Sequence, residues 1–221
     1  MRELRFGRAG VEKGQAVGMV VFLHGYGADG NDLLGLADPM AQHLPGVAFA
    51  SPDAPEQCRG GGFGYQWFPI PWLDGSTEAA AKAGLAAASE DLNGFLDRVL
   101  EEEGLTPDRL VLLGFSQGAM MAMDVAPRRA VEVAGIVAIS GRLLRPEVLA
   151  EEARVKPPVL LVHGDQDPVV PFSDMSKAGD ALTAAGFPTY GHIMKGTGHG
   201  ISPDGLGVAL QFIRERLGIS G

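Results

Sequence analysis

The chain has 221 residues, 46% of them hydrophobic and 20% charged, proportions that fit a soluble globular protein and exclude a disordered one. Its 27 acidic and 18 basic side chains leave a net charge of −9, which argues against nucleic acid and anionic membrane surfaces as partners, because both require clustered Lys and Arg. The lone cysteine, Cys58, excludes an internal disulfide, and no Cys/His set has zinc spacing. No run approaches the ~20 apolar residues of a membrane span. Met1–Phe6 offer no apolar run of the kind a secretory leader carries, so a reducing, cytoplasmic setting is expected.

Gly18–Leu23 (GMVVFL) is a short β-branched run ending in His24-Gly25, and it predicts a buried strand. Apolar residues at helical spacing then extend from Asp32 to Leu44, where Pro45-Gly46 stops them. Val47–Ala50 predicts a second buried strand. Residues 51–76 argue against regular structure, with Pro52, Pro55, the run Gly60-Gly61-Gly62, Pro69 and Pro71, yet they carry both tryptophans, Trp67 and Trp72. A loop this long is usually functional or packed on itself. The glycine run is no phosphate loop, since neither Lys-Ser/Thr nor a helix follows it.

Thr77–Glu103 predicts a long alanine-rich helix, with Ser76 or Thr77 as N-cap and Gly104 as stop. Strands are expected at Arg109–Leu113, Val133–Ile139, Pro158–Val162 and Thr189–Met194. Helices are expected at Ala119–Val125, Ser173–Ala185 and Pro203–Leu217. Strands alternating with helices predict a mostly parallel sheet covered on both faces, within one domain spanning 1–221.

The chemistry begins at Gly114-Phe115-Ser116-Gln117-Gly118, a G-x-S-x-G entered from an apolar strand and left by a helix. That context places Ser116 on a sharp turn with its hydroxyl exposed at the carboxyl edge of the sheet, as in the α/β-hydrolase fold. A serine hydroxyl is a weak nucleophile until a base takes its proton, and in this fold the order is Ser, then acid, then His. His163, His192 and His199 follow Ser116. His199 is the candidate base, because it sits in the glycine-rich loop Gly196–Gly200 after the last strand; His192 reads as a sheet-face residue. Asp165 and Asp167 share the loop after the preceding strand. Asp167 is favoured as the orienting acid, since Pro168-Val169-Val170-Pro171 stiffens the backbone beside it, whereas Asp165 is expected to bond its own loop backbone. An oxyanion hole needs two preorganised donors. The backbone N–H groups of Gln117, at a helix start, and of Tyr26, in His24-Gly25-Tyr26-Gly27, are the candidates.

With Leu23–Gly27, Gly114–Gly118, His163–Pro171 and Gly198-His199, the chain resembles the phospholipase/carboxylesterase family of small α/β-hydrolases over nearly its whole length. The resemblance implies an ester or thioester substrate, no cofactor and no metal. It implies Ser116, Asp167 and His199 as a triad, with Tyr26 and Gln117 as oxyanion donors. Gln66-Trp67-Phe68 is similar to a segment that walls the family's acyl site, with Leu143 and Leu144 offered to the opposite wall. The chain departs from the family pattern at Arg142, where a bulky aromatic is common, and at the Gly60–Gly62 run. Arg142 and Arg145 flank the two leucines and are expected to favour an acidic leaving group over a cationic one.

The expected function is that of a serine carboxylesterase acting on short to medium acyl chains, about C4 to C8 at ~0.8 kcal/mol per buried CH₂. The alternative is an acyl-protein thioesterase or lysophospholipase acting on long chains; a non-catalytic binding protein of the same fold ranks below both. The oligomeric state, homodimer or otherwise, stays open.

Overall fold

A computed structural model of the protein describes residues 1–58 and 63–219; the Gly60–Gly62 run lies outside the described residues. Strand β1 (Phe6–Gly10) precedes β2 (Gly18–Leu23). Two short helices, α1 (Gly30–Leu34) and α2 (Ala37–Ala41), lead to β3 (Val47–Pro52). A small ribbon of β4 (Glu56–Gln57) and β5 (Tyr65–Gln66) follows, and then the one-turn helix α3 (Pro71–Asp74). The long helix α4 (Glu78–Glu103) is capped by Thr77, whose side chain accepts from Ala80 N, and ended by Gly104 in the left-handed region. The remainder alternates: β6 (Leu110–Phe115), α5 (Gln117–Val125), β7 (Gly135–Ile139), α6 (Pro146–Glu152), β8 (Val159–Gly164), α7 (Ser173–Ala184), β9 (Thr189–Met194) and α8 (Pro203–Leu217).

Seven strands form one sheet in the order β1-β3-β2-β6-β7-β8-β9, with β1 antiparallel on one edge and every other pairing parallel. This is the α/β-hydrolase fold. The chain leaves β2 for β3 on one side and returns to β6 on the other. The carboxyl ends of β2 and β6 therefore flank a topological switch point, the place where open α/β sheets bind ligands.

All six residues of β2 are buried, because helices cover both faces. Met19, Val21 and Leu23 enter one core with Leu92, Phe95 and Leu96 of α4 and Met121 of α5. Val20 and Phe22 enter the other with Leu33, Met40, Phe212 and Ile213. Each such side chain contributes roughly 1.5–3 kcal/mol by leaving water, and the two cores together clamp the sheet that carries the site. Among the described residues no helix is long and apolar enough to cross a membrane.

The helix expected over Asp32–Leu44 is two helices. Gly35 caps α1, donating to Asn31 O and Leu33 O, yet the apolar spacing survives the break, with Leu33, Ala37, Met40 and Leu44 all buried. The Pro/Gly-rich stretch is not devoid of regular structure either, since it contains the β4–β5 ribbon and α3. Two further elements carried no periodic signal. β1 (FGRAG) is only half-buried, and α6 buries Leu149 alone.

Candidate active site

β6 delivers the chain into a turn where Ser116 takes φ 53° and ψ −115°, a conformation costing roughly 1–3 kcal/mol for a non-glycine residue. Its neighbours hold it there: Ser116 N donates to Ile139 O at 2.8 Å, and Ser116 O accepts from Met120 N at 3.1 Å. The flanking glycines answer to space. A Cβ on Gly118 would lie 1.9 Å from Leu23 O, and one on Gly114 would lie 2.4 Å from the Gly118 backbone. The sequence G-x-S-x-G is thus what lets α5 close against the ends of β2 and β6.

Three loops bring three side chains into one line. His199 Nε2 stands 3.0 Å from Ser116 Oγ, and His199 Nδ1 stands 2.7 Å from Asp167 Oδ2. A carboxylate only accepts, so the Nδ1 of His199 carries the proton and Nε2 is left free to accept from the hydroxyl. The Asp167 side chain is fully buried, and its Oδ1 accepts from Val169 N at 2.8 Å and Val170 N at 2.9 Å. Burial alone would raise this carboxyl's pKa. The hydrogen bonds from His199, Val170 and Val169 outweigh it and hold the group below the usual carboxylate value. His163 Nε2 donates to Val170 O at 3.0 Å and so fastens the same loop from inside the sheet.

Asp165 behaves differently from expectation. Its Oδ1 accepts from Gly196 N at 2.7 Å, on the loop that carries His199 rather than on its own. It ties the acid loop to the histidine loop. His192, on β9, donates from Nε2 to Asp204 at 2.8 Å, away from the serine line.

After β2, Ala28 N donates to Gly25 O and Gly27 N donates to Tyr65 O, shaping a turn around Tyr26. The backbone N–H groups of Tyr26 and Gln117 have no hydrogen-bond partner among the described residues. Burial, together with Cys58 and Asp74 nearby, pushes the Tyr26 phenol up to about 12, so it stays protonated. His24 is fully buried. Its Nε2 accepts from Ala54 N at 2.9 Å, which leaves the proton on Nδ1 to donate to Gly25 O at 2.7 Å. Burial lowers its pKa and keeps it neutral.

The serine and histidine open into a cavity of about 670 Å³. Phe68, Ile70, Met120 and Leu144 give it apolar walls, Leu85 of α4 adds to them, and Tyr26 and Gln117 line it as well. Two of the expected wall residues lie elsewhere. Trp67 is fully buried in the core, whereas Phe68, which belongs to the same core, also lines the cavity. Leu143 and Leu144 both pack against that same core, and Leu144 also lines the cavity. Trp72 and Leu73 of α3, which the sequence did not assign to the acyl wall, line the cavity instead. Gln117 also holds more than its backbone role. Its Oε1 accepts from Trp67 N at 2.9 Å and its Nε2 donates to Phe68 O at 2.7 Å.

The two arginines are already engaged. Arg145 Nη2 meets Asp124 Oδ1 at 2.9 Å and Oδ2 at 3.0 Å, with Nη1 on Glu152 at 3.2 Å. Arg142 lies 3.4 Å from Asp174 and 5.3 Å from the ring centre of Trp72. Arg145 is thus held by carboxylates, while Arg142 Nε pairs with Asp174 without a hydrogen-bond partner among the described residues.

Residues 10–217 match the family model described as Phospholipase/Carboxylesterase. The chain belongs to that family. It is a serine-hydrolase-type esterase or thioesterase of the α/β-hydrolase fold. It is 32% identical to acyl-protein thioesterase 1 of Saccharomyces cerevisiae, across 90% of this chain and 92% of that protein. Among solved structures it is similar to esterase PE8, with TM-score 0.90, 41% identity and coverage of 97% of this chain and 99% of that one. It also resembles Zea mays acyl-protein thioesterase 2, with TM-score 0.76, 25% identity and coverage of 96% and 99%.

Proposed function

We propose that this protein, acting as a single α/β-hydrolase domain, hydrolyses thioesters and esters of medium to long acyl chains through an acyl-enzyme on Ser116. His199 takes the Ser116 proton as Oγ attacks the acyl carbonyl, and Asp167 holds the imidazole in the accepting tautomer. The oxyanion that forms is received by the N–H groups of Tyr26 and Gln117. His199 then returns the proton to the departing thiol or alcohol. Water, deprotonated by the same imidazole, releases the carboxylic acid and regenerates Ser116.

The observation that carries the reading is the Asp167–His199–Ser116 line opening into one apolar cavity of about 670 Å³. That volume lies within the range of pockets that enclose whole ligands, ~300–1,000 Å³. Each methylene it covers adds about 0.8 kcal/mol, so affinity keeps rising past the short esters. The yeast and maize relatives, both acyl-protein thioesterases, support the long-chain thioester reading. The second reading is a carboxylesterase for chains of about C4 to C8, and the likeness to esterase PE8 supports its ester chemistry.

Hydrolysis of p-nitrophenyl esters from acetate to palmitate, with palmitoyl and butyryl thioesters alongside, separates the two. The proposed function predicts kcat/KM rising beyond the octanoate and turnover of the palmitoyl thioester. A maximum at butyrate to octanoate with inert thioesters would instead select the carboxylesterase.

A further inference from the structure

Three non-glycine residues among those described have a positive φ: Ser116 at 53°, Ser140 at 51° and Arg145 at 50°. Ser116 is the turn before α5. The other two bound a single segment, the loop between the end of β7 and the start of α6. Backbone of this kind persists only where the surroundings hold it. At Ser140 the side chain does not do so, since the residue is fully buried and its Oγ has no hydrogen-bond partner among the described residues. The backbone does. Ser140 N donates to Val162 O of β8 at 2.8 Å, and Ile139 O, one residue earlier, accepts from Ser116 N at 2.8 Å.

The bend at Ser140 lays Gly141 against the first turn of α5. A Cβ on Gly141 would lie 2.6 Å from Ala119 Cβ and 3.0 Å from Ser116 O, so only glycine lets the loop touch the helix there. At the far end of the loop, Arg145 Nη2 meets Asp124 Oδ1 at 2.9 Å and Oδ2 at 3.0 Å. Asp124 belongs to the last turn of α5, and its side chain is 1% exposed. The loop therefore grips the nucleophile's helix at both ends, by close packing beside Ser116 and by a buried carboxylate two turns away.

We propose that the loop 140–145 is a strap that sets the nucleophile, with Gly141 and Arg145 as its positioning residues. The inference rests on the reading of Ser116 as the nucleophile. The strap keeps α5 seated on the sheet, and so keeps Ser116 in its positive-φ turn with Oγ 3.0 Å from His199 Nε2. Loosening either end lets the first turn of α5 move, Ser116 relaxes toward ordinary backbone, and Oγ leaves the imidazole. The strap thus acts on the rate of attack by Oγ, not on how tightly the acyl group binds.

The test follows fluorophosphonate labelling of Ser116 in wild type, Gly141→Ala, Arg145→Ala and Arg145→Lys, each held below its thermal unfolding transition. Arg145 also lines the cavity, so the limiting rate constant and the half-saturating probe concentration are measured separately. The limiting rate should fall by about 10-fold or more in Gly141→Ala and Arg145→Ala, the order of the penalty a non-glycine residue carries at positive φ, with half-saturation little changed. Arg145→Lys, which keeps one charge on Asp124, should fall less. A lowered Tm with the limiting rate of the folded protein untouched in both alanine variants would overturn the strap, and so would a change confined to half-saturation. Should Gly141→Ala not fold, Arg145→Ala decides by the same measure. Wild type that takes no label on Ser116 refutes the nucleophile and the strap with it, whereas a labelled wild type with unaffected variants refutes the strap alone.

Discussion

The side-chain oxygen of Gln117 accepts a hydrogen bond from the backbone N–H of Trp67 at 2.9 Å, while the amide nitrogen of the same residue donates to Phe68 O at 2.7 Å. One side chain at the start of α5 therefore fixes the backbone of the cavity wall relative to Ser116. Gln117→Ala leaves a buried N–H and a buried carbonyl without partners, at about 1–3 kcal/mol for each unsatisfied group. The backbone N–H of residue 117 survives the change. The expected outcome is a lowered denaturation midpoint and a raised KM for acyl substrates, with a smaller fall in kcat. An unaltered midpoint in urea would show that the clamp contributes nothing.

Trp67 is a second structural anchor. It is fully buried, and its indole N–H donates to His24 O at 3.0 Å. Trp67→Ala should cost about 3–5 kcal/mol, or roughly 10 °C or more in Tm for a chain of this size. Differential scanning calorimetry checks it. A variant that melts like wild type but binds esters poorly would return Trp67 to the acyl wall.

The line of Ser116, Asp167 and His199 was legible in the sequence because each lies on a loop after a short strand, where glycines or prolines mark the turn. The mostly parallel sheet with helices on both faces followed from the same alternation, whereas the strand order did not. Side-chain direction within irregular segments was not legible. Trp67 and Phe68, and Leu143 and Leu144, are adjacent pairs that all pack in or against the core while only the second member of each also lines the cavity, and no periodicity tells them apart outside a regular element. Trp72 was noted but not placed at the cavity for the same reason, since α3 is a single turn. The Asp165–Gly196 bond joins residues 31 positions apart, and local turn rules see only near neighbours.

The two aspartates after β8 should separate cleanly on mutation. Asp167→Asn lets the wrong imidazole tautomer form and should lower kcat by up to ~10⁴ with the fold intact. Asp165→Asn weakens the tie to Gly196 and should cost about 1 kcal/mol of stability with a modest loss of rate. Acid titration of the unfolding free energy adds a second readout. The folded Asp167 carboxyl titrates below its unfolded value of 3.8, so its stabilisation is complete above that value and is lost as pH falls through the folded pKa. The stability gap between wild type and Asp167→Asn should accordingly narrow below about pH 4; a gap that widens there contradicts the assigned ionisation.

His24 predicts a pH effect of its own. Burial, partly offset by the bond to Gly25 and by Asp53, Asp29 and Asp32, lowers its pKa from 6.5. Between that folded value and 6.5 the unfolded chain binds the proton more readily, so stability falls as pH drops through this window. Urea unfolding from pH 7.5 to 5 should show that slope in wild type and a flatter one in His24→Asn, which cannot titrate. Equal slopes in the two proteins would remove His24 from the account.

The central claim is that Ser116 is the nucleophile served by His199. A fluorophosphonate probe tests it most directly, because phosphonylation requires an activated serine and survives for peptide mapping by mass spectrometry. The account predicts one label per chain, on Ser116, abolished in Ser116→Ala and slowed by orders of magnitude in His199→Ala. Residual hydrolysis in Ser116→Ala should be no more than roughly 10³-fold over water, from the oxyanion donors and binding alone. Labelling of another residue, or full ester hydrolysis by Ser116→Ala, would contradict it.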